Sequence, residues 1–418
     1  MKKKILIIAD SPLVPSGVGT QTKYMIEALL KTGKYQFFCL AGAIKHQDYR
    51  MLKVGDWGDD WIIKPVDGYG NPDIIRAVLR DYKPDLLWFM TDPRFYVWLW
   101  QIENEIRKNV PMVYYHVWDN YPAPEYNKKY YDSNDLICTI SKVTDDIVKK
   151  VSPDVESLRV PHAVDMKIFK KDQNRRDEFR KSLLSQAADS SEKLIFFWNN
   201  RNARRKQSGT LIFWFKEFLE EAGDNAAILV MHTEPKDPHG QDLNAIINKL
   251  DLKGRVLLST TKLQPEKLAG LYNAADCTIN ISDAEGFGLS TLESLSSETP
   301  IIVTMTGGLQ EQVTDGESWF GIGIEPASKS IIGSQDVPYI YEDRISKKDF
   351  IDSMMSFYNL TQEERDALGI AGRKHVEENY GLEKYGETWD KVLTDFMDKT
   401  GSWENRKNYN HWELLEVK

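Results

Sequence analysis

Short unbroken apolar runs alternate along this chain with longer amphipathic segments. Strands that are apolar at every position are buried on both faces, as in a parallel sheet covered by helices. In the first half the runs predict strands at 5 to 9 (ILIIA), 37 to 41 (FFCLA), 85 to 90 (DLLWFM), 112 to 116 (MVYYH) and 136 to 140 (LICTI). The second half repeats the plan at 194 to 198 (LIFFW), 226 to 231 (AAILVM), 255 to 259 (RVLLS), 277 to 281 (CTINI) and 300 to 304 (PIIVT). Residues 161 to 192 are charged and poor in β-branched residues, and read as a linker with one short helix. The expected class is α/β, with two doubly wound Rossmann-like domains joined near 165 to 190 and facing a central cleft. Open sheets of this kind bind ligands beyond the carboxyl ends of their strands, which makes that cleft the default site.

Length and charge narrow the chemistry. A chain of 418 residues suits two domains of roughly 200 residues. Its formal net charge of −9 gives no global field for polyanions, so any nucleic-acid contact needs a local basic patch. The three cysteines, Cys39, Cys138 and Cys277, lack metal-ligand spacing and read as buried thiols of a reducing compartment. The start, MKKKILIIAD, has too short an apolar run for a signal peptide and reads as a first strand of a cytoplasmic protein. No apolar run approaches the ~20 residues of a membrane span.

Three loops carry candidate chemistry. After the first strand, Gly17 and Gly19 lie in a turn that opens a helix, where backbone amides can meet an anion; the spacing G-x-G-x-x-T is not the full dinucleotide fingerprint. After strand 194 to 198, the loop NNRNARRK offers Arg201 as a planar fork and Lys206 as a point charge, a pair suited to a diphosphate, although a solvated basic loop would look the same. After strand 277 to 281, the loop SDAEGFG and its helix place Glu285 before, and Glu293 two turns beyond, a helix start whose free amides suit a phosphate. Gly286 and Gly288 let the backbone approach a ligand, and a carboxylate can accept from a pair of vicinal hydroxyls. No GxxxxGK[ST] loop, G-x-S-x-G elbow or D-x-D triplet occurs, which excludes a P-loop nucleotidase and an α/β-hydrolase.

EGFGLSTLE, TGGLQEQVTDG, NRNARRK and VPHAVD together resemble the motifs of the GT-B fold glycosyltransferases, specifically the retaining family 4 (glycosyl transferases group 1). SGVGTQT near the start agrees with it, and the closing ENYGLEKYGETWDKVL resembles that family's helix crossing back to the first domain. More loosely the chain resembles glycosyltransferase-like proteins of tailed phages. The resemblance implies an acceptor-side domain at 1 to 165, completed by a C-terminal helix at 385 to 418, and a donor-side domain at 190 to 384. It implies that Glu285 binds hydroxyls of the transferred sugar and Glu293 the donor ribose. Arg201 and Lys206 would neutralise the diphosphate, helped by amides at Phe287, Gly288 and Leu289. In the first domain it points to His116 at the end of MVYYH, with Asp119 in the following VWDN able to share or replace its task.

The donor implied is a UDP-, GDP- or ADP-sugar, with no metal or other cofactor required. The acceptor would be a hydroxyl of a glycan or of a hydroxymethylated pyrimidine in phage DNA, with loop aromatics Phe95, Trp118 and Tyr121 available for stacking. A GT-B nucleotide-sugar epimerase and an inactive sugar-binding protein are the rival expectations. The sequence says nothing about oligomeric state.

Overall fold

The computed structural model describes residues 2–412, and the chain divides into two compact units. Unit 1 comprises Met1–Ala163, Ser334–Pro338 and Leu382–Lys418; unit 2 comprises Val164–Gly333 and Tyr339–Gly381.

Unit 1 holds strands β1 (Lys3–Asp10), β2 (Tyr35–Gly42), β3 (Leu52–Lys53), β4 (Trp61–Pro65), β5 (Leu86–Met90), β6 (Met112–His116), β7 (Leu136–Thr139) and β8 (Ser157–Arg159). They form one sheet in the order β3-β4-β2-β1-β5-β6-β7-β8, parallel except where β3 meets β4. Ile5, Leu6, Ile7 and Ile8 are all buried, as a strand covered on both faces requires. A helix at Leu382–Thr400 completes this unit, its Trp389 ring packing at 5.9 Å from Trp88 and 5.0 Å from Tyr115. The expected helix 385 to 418 therefore ends at Thr400, where Gly401 turns with φ +59°; residues 413 to 418 lie outside the described residues.

Unit 2 holds β9 (Leu194–Asn199), β10 (Ala227–His232), β11 (Val256–Ser259), β12 (Cys277–Asn280), β13 (Ile301–Thr304) and β14 (Gly321–Ile324) in an all-parallel sheet ordered β11-β10-β9-β12-β13-β14. A separate antiparallel hairpin joins β15 (Ser328–Ile332) to β16 (Ile340–Arg344). All ten apolar runs form strands. The segment expected to be a linker with one short helix does hold one helix, the 12-residue Gln173–Leu184, which lies within unit 2. It is pinned there by charge: Arg176 Nη2 and Arg180 Nη1 donate to opposite oxygens of Asp276 at 2.6 and 2.9 Å. Among the described residues no helix is long and apolar enough to cross a membrane.

Both parallel sheets carry the strand order 3-2-1-4-5-6 within their cores. The order in which strands are added reverses between the first and fourth strands, and the loops leaving those two strands diverge to open a crevice. In unit 2 these are the loops after β9 and β12.

Candidate active site

The basic loop follows β9 and the Gly-Phe-Gly loop follows β12, so the two strongest motifs flank one topological switch point. They meet through a side-chain pair: Lys206 Nζ donates to Glu285 Oε2, and Asn280 Nδ2 approaches the same oxygen at 3.3 Å. Lys206 is only 7% exposed, held in a single 3-10 turn, Arg204–Lys206, that a left-handed Gln207 (φ +56°) ends. Burial opposes ionisation of Glu285, but the Lys206 and Arg205 charges and the bonds from Lys206 and Asn280 overcome it and hold the carboxyl below its ordinary value.

Gly288 precedes the helix Leu289–Ser296 at φ +93°, and no side chain caps that helix N-terminus. Its first amides therefore remain available to a ligand. The second glycine turn buttresses the first. Gly308 N donates to Glu285 O at 3.1 Å, and Gln312 Nε2 donates to Phe287 O at 2.6 Å. A Cβ on Gly308 would stand 2.6 Å from Phe287 Cα and 2.8 Å from Gly286 O, both backbone atoms that cannot step aside. Gly308→Ala should therefore destabilise unit 2 by about 1–3 kcal/mol and displace the Gly-Phe-Gly loop, seen as a lower thermal midpoint. An unchanged midpoint would mean that the turn is not closely packed.

Glu293 lies at the end of a polar relay. Asn199 Nδ2 donates to Tyr272 Oη at 2.8 Å, and Tyr272 Oη donates to Glu293 Oε2 at 2.8 Å. Desolvation raises the Glu293 carboxyl to about 7, with the Tyr272 bond opposing. Sequence reasoning missed Tyr272 and Asn199. Tyr272 reads as a core aromatic of the helix Pro265–Ala274, and only its hydroxyl reveals the other role.

Arg201 shares a loop with Lys206 but is not beside it in charge. Its guanidinium forks onto Asp237, with Nε to Oδ2 at 2.7 Å and Nη2 to Oδ1 at 3.1 Å, while its side chain stays 63% exposed. That fork and the His239 amide hold Asp237 down to about 2. Arg204 and Arg205, which the sequence did not single out, bind Glu342 and the Ala284 carbonyl.

In unit 1, Gly19 is required by close approach, since a Cβ would meet Ser11 O at 2.6 Å. The helix Gly17–Leu30 is already capped by Ser16, whose Oγ accepts from Gly19 N at 2.9 Å and donates to Asp10 Oδ2 at 2.6 Å. An acid beside that N-terminus opposes an anionic ligand. His116 is fully buried, its Nε2 2.7 Å from Tyr131 Oη, and burial pushes the ring down to about 3. Asp119 is partly exposed in the following loop. Phe95 is exposed, whereas Trp118 is buried and donates to Asn120 O at 2.9 Å.

Residues 178–375 match the family described as glycosyl transferases group 1. This segment belongs to that family. Curated relatives resemble parts of the chain: D-inositol 3-phosphate glycosyltransferase of Acidothermus cellulolyticus is 36% identical over 96 residues, 23% of this chain and 20% of that protein. Trehalose synthase of Thermococcus litoralis is 24% identical over 187 residues, 44% of this chain and 39% of that protein. The matched part thus spans well under half the length of these curated relatives. The fold is GT-B. Sucrose-phosphate synthase from Thermosynechococcus elongatus superposes over 96% of this chain and 100% of its own, with a TM-score of 0.75 at 15% identity. Anabaena HepE in complex with UDP and glucose gives 0.69 at 12% identity, over 94% and 100% of the two chains.

Proposed function

We propose that this group 1 protein is a retaining, metal-independent glycosyltransferase that moves a sugar from a nucleoside diphosphate sugar to an acceptor hydroxyl. The observation that carries the reading is the Lys206–Glu285 pair beside the uncapped helix start at Gly288, at the switch point of unit 2. A cation and free amides offer the diphosphate its charge partners, and a carboxylate held ionised accepts from sugar hydroxyls. HepE, the relative with UDP and glucose in its crystal structure, supports a donor of this class.

In this reading Lys206 and the amides of Phe287, Gly288 and Leu289 receive the diphosphate, and Arg201 joins them by leaving Asp237. Glu285 orients the transferred sugar through its hydroxyls, beside Gly286. Glu293, positioned by Tyr272, takes the ribose hydroxyls. The bond from the anomeric carbon to the diphosphate oxygen breaks through an oxocarbenium-like state, the diphosphate keeps the electron pair, and the acceptor oxygen bonds to the same face while its proton passes to the departing diphosphate oxygen. Stabilising the leaving charge is the main demand, and Lys206 meets it.

Unit 1 would receive the acceptor. The loop of Gly17 and Gly19, whose capping Ser16 donates to Asp10, suits a hydroxyl better than a second phosphate, and Asp119 would orient that hydroxyl. His116, which has no exposed surface, would hold the end of β6 through Tyr131. The net charge of −9 favours a carbohydrate acceptor over DNA.

A nucleoside diphosphate should raise the unfolding temperature in the presence of EDTA, by the equivalent of about 2.7 kcal/mol at 100 times its dissociation constant. UDP, GDP and ADP are tried in turn, followed by their glucose conjugates with oligosaccharide and hydroxymethylated-DNA acceptors and mass spectrometry of the products. Stabilisation that needs Mg²⁺ or Mn²⁺ would overturn the metal-free reading, and donor conversion without any acceptor would favour an epimerase.

A further inference from the structure

A ring of charge built on two buried carboxylates, Glu342 and Asp283, ties the β15–β16 hairpin to both loops of the proposed donor site. Residues two apart on a strand share a face, and β16 turns Glu342 and Arg344 to one side while Asp343 pairs with Lys329 at 3.7 Å. Glu342 Oε2 accepts from Arg204 Nη1 at 2.8 Å and from Arg344 Nη2 at 2.7 Å. Arg344 Nη1 donates to Asp283 Oδ2 at 2.8 Å, and Gln207 Nε2 donates to the same oxygen at 2.6 Å. The main chain closes the arrangement: Asp283 N donates to Arg205 O, and Asp343 N donates to Asp283 O, both at 2.8 Å.

Two arginines against two carboxylates leave the ring neutral. Glu342 and Asp283 are almost wholly buried, so loss of Arg344, which bonds both, strands carboxylates in a poorly solvated place, where a broken pair costs far more than an exposed one. Its contacts fall beside the proposed chemistry: Arg204, Arg205 and Gln207 surround Lys206 in sequence, and Asp283 precedes Glu285 by two positions. The hairpin's own strands pair with each other over five residues.

We infer that the β15–β16 hairpin is a brace that sets the spacing of the Lys206 and Glu285 loops, with Glu342 and Arg344 as positioning residues that touch no substrate. The inference rests on the donor site proposed above for its functional meaning. The brace also senses acid. Burial raises Asp283 to about 6, with Gln207, Arg344 and Arg204 opposing that rise and Glu342 adding to it. The ionised carboxyl is the costlier form in the closed brace, so the brace tightens as pH falls from about 6 toward the ordinary carboxylate value and loosens as pH rises.

Hydrogen exchange in the ligand-free protein tests the brace without any substrate. Glu342→Gln should speed exchange by about 10-fold or more at 201 to 207 and 283 to 288. It should lower kcat for the wild-type chain's preferred glucose donor by more than it raises KM, because misplaced loops lose most in the transition state. Lys329→Ala, on the same hairpin but outside the ring, should change neither. In the wild type, protection of these loops, corrected for intrinsic rates, should rise from pH 7 to pH 5; in Asp283→Asn, which has no charge to bury, it should change little between them. Faster exchange confined to 328 to 344 in Glu342→Gln, with the loops unchanged, would overturn the brace. Should that variant not fold, pH-independent protection in the wild type would overturn it instead. Absence of any binding of UDP, GDP or ADP by the wild type counts against the donor site and leaves the exchange result standing.

Discussion

Glu293→Gln is expected to stabilise the ligand-free protein at pH 8 while weakening its grip on a nucleoside diphosphate. Burial raises the Glu293 carboxyl to about 7 from an ordinary 4.5. The unfolded chain therefore ionises first as pH rises, and the folded state resists. Stability is fully present below about 4.5 and is lost progressively up to about 7, by on the order of 3 kcal/mol at 1.36 kcal/mol per pKa unit. A neutral amide has no such cost and keeps an oxygen for the Tyr272 hydroxyl. Denaturant unfolding at pH 5 and pH 8 checks this: the wild type should weaken between them and the variant should not. Nucleoside diphosphate binding should drop by about 1.5–3 kcal/mol, the worth of hydrogen bonds to a charged group. A variant no more stable than wild type at pH 8 would show that Glu293 is adequately solvated.

Lys206→Ala should be damaging twice over. It strands the Glu285 carboxylate in a largely buried place, and removing one partner of a buried pair costs about 3–5 kcal/mol. Turnover should also fall by about 10²-fold or more, as when one donor to a developing anion is lost. A double variant with Glu285→Ala separates the two effects. Much of the stability should return because no charge is left alone, whereas turnover should stay lost. If Lys206→Ala costs under about 1 kcal/mol, the pair behaves as an exposed ion pair and the loop is solvated.

The strands were legible because a fully covered parallel strand must be apolar at each position, and ILIIA or LIFFW admits few other readings. The edges were not. β14 is GIGI, where two glycines weaken the pattern, and β15 is SKSII, which lies exposed and needs no apolar face. β4, WIIKP, ends in a lysine and a proline, as an element near a sheet edge can. Glu285 and Lys206 could be found because each sits in a loop directly after a strand. Their direct pairing could not, since 79 residues separate them. Glu342 and Arg344 lay further beyond reach, in a polar hairpin whose burial comes only from the partners it meets. Arg201 shows another limit: nothing in its position five residues before Lys206 reveals that its guanidinium forks onto Asp237.

The burial of all three cysteines has a practical consequence. Cys39 lies in β2 and Cys138 in β7, both in unit 1, while Cys277 lies in β12 of unit 2, and burial raises all three thiols, Cys39 to about 12. A thiolate is the reactive form, so the native chain should be silent to maleimides at neutral pH. A single cysteine engineered at an exposed position would then take a fluorophore or spin label in an otherwise wild-type background. In rising denaturant, the order in which the native thiols become labelled would time the opening of one sheet against the other.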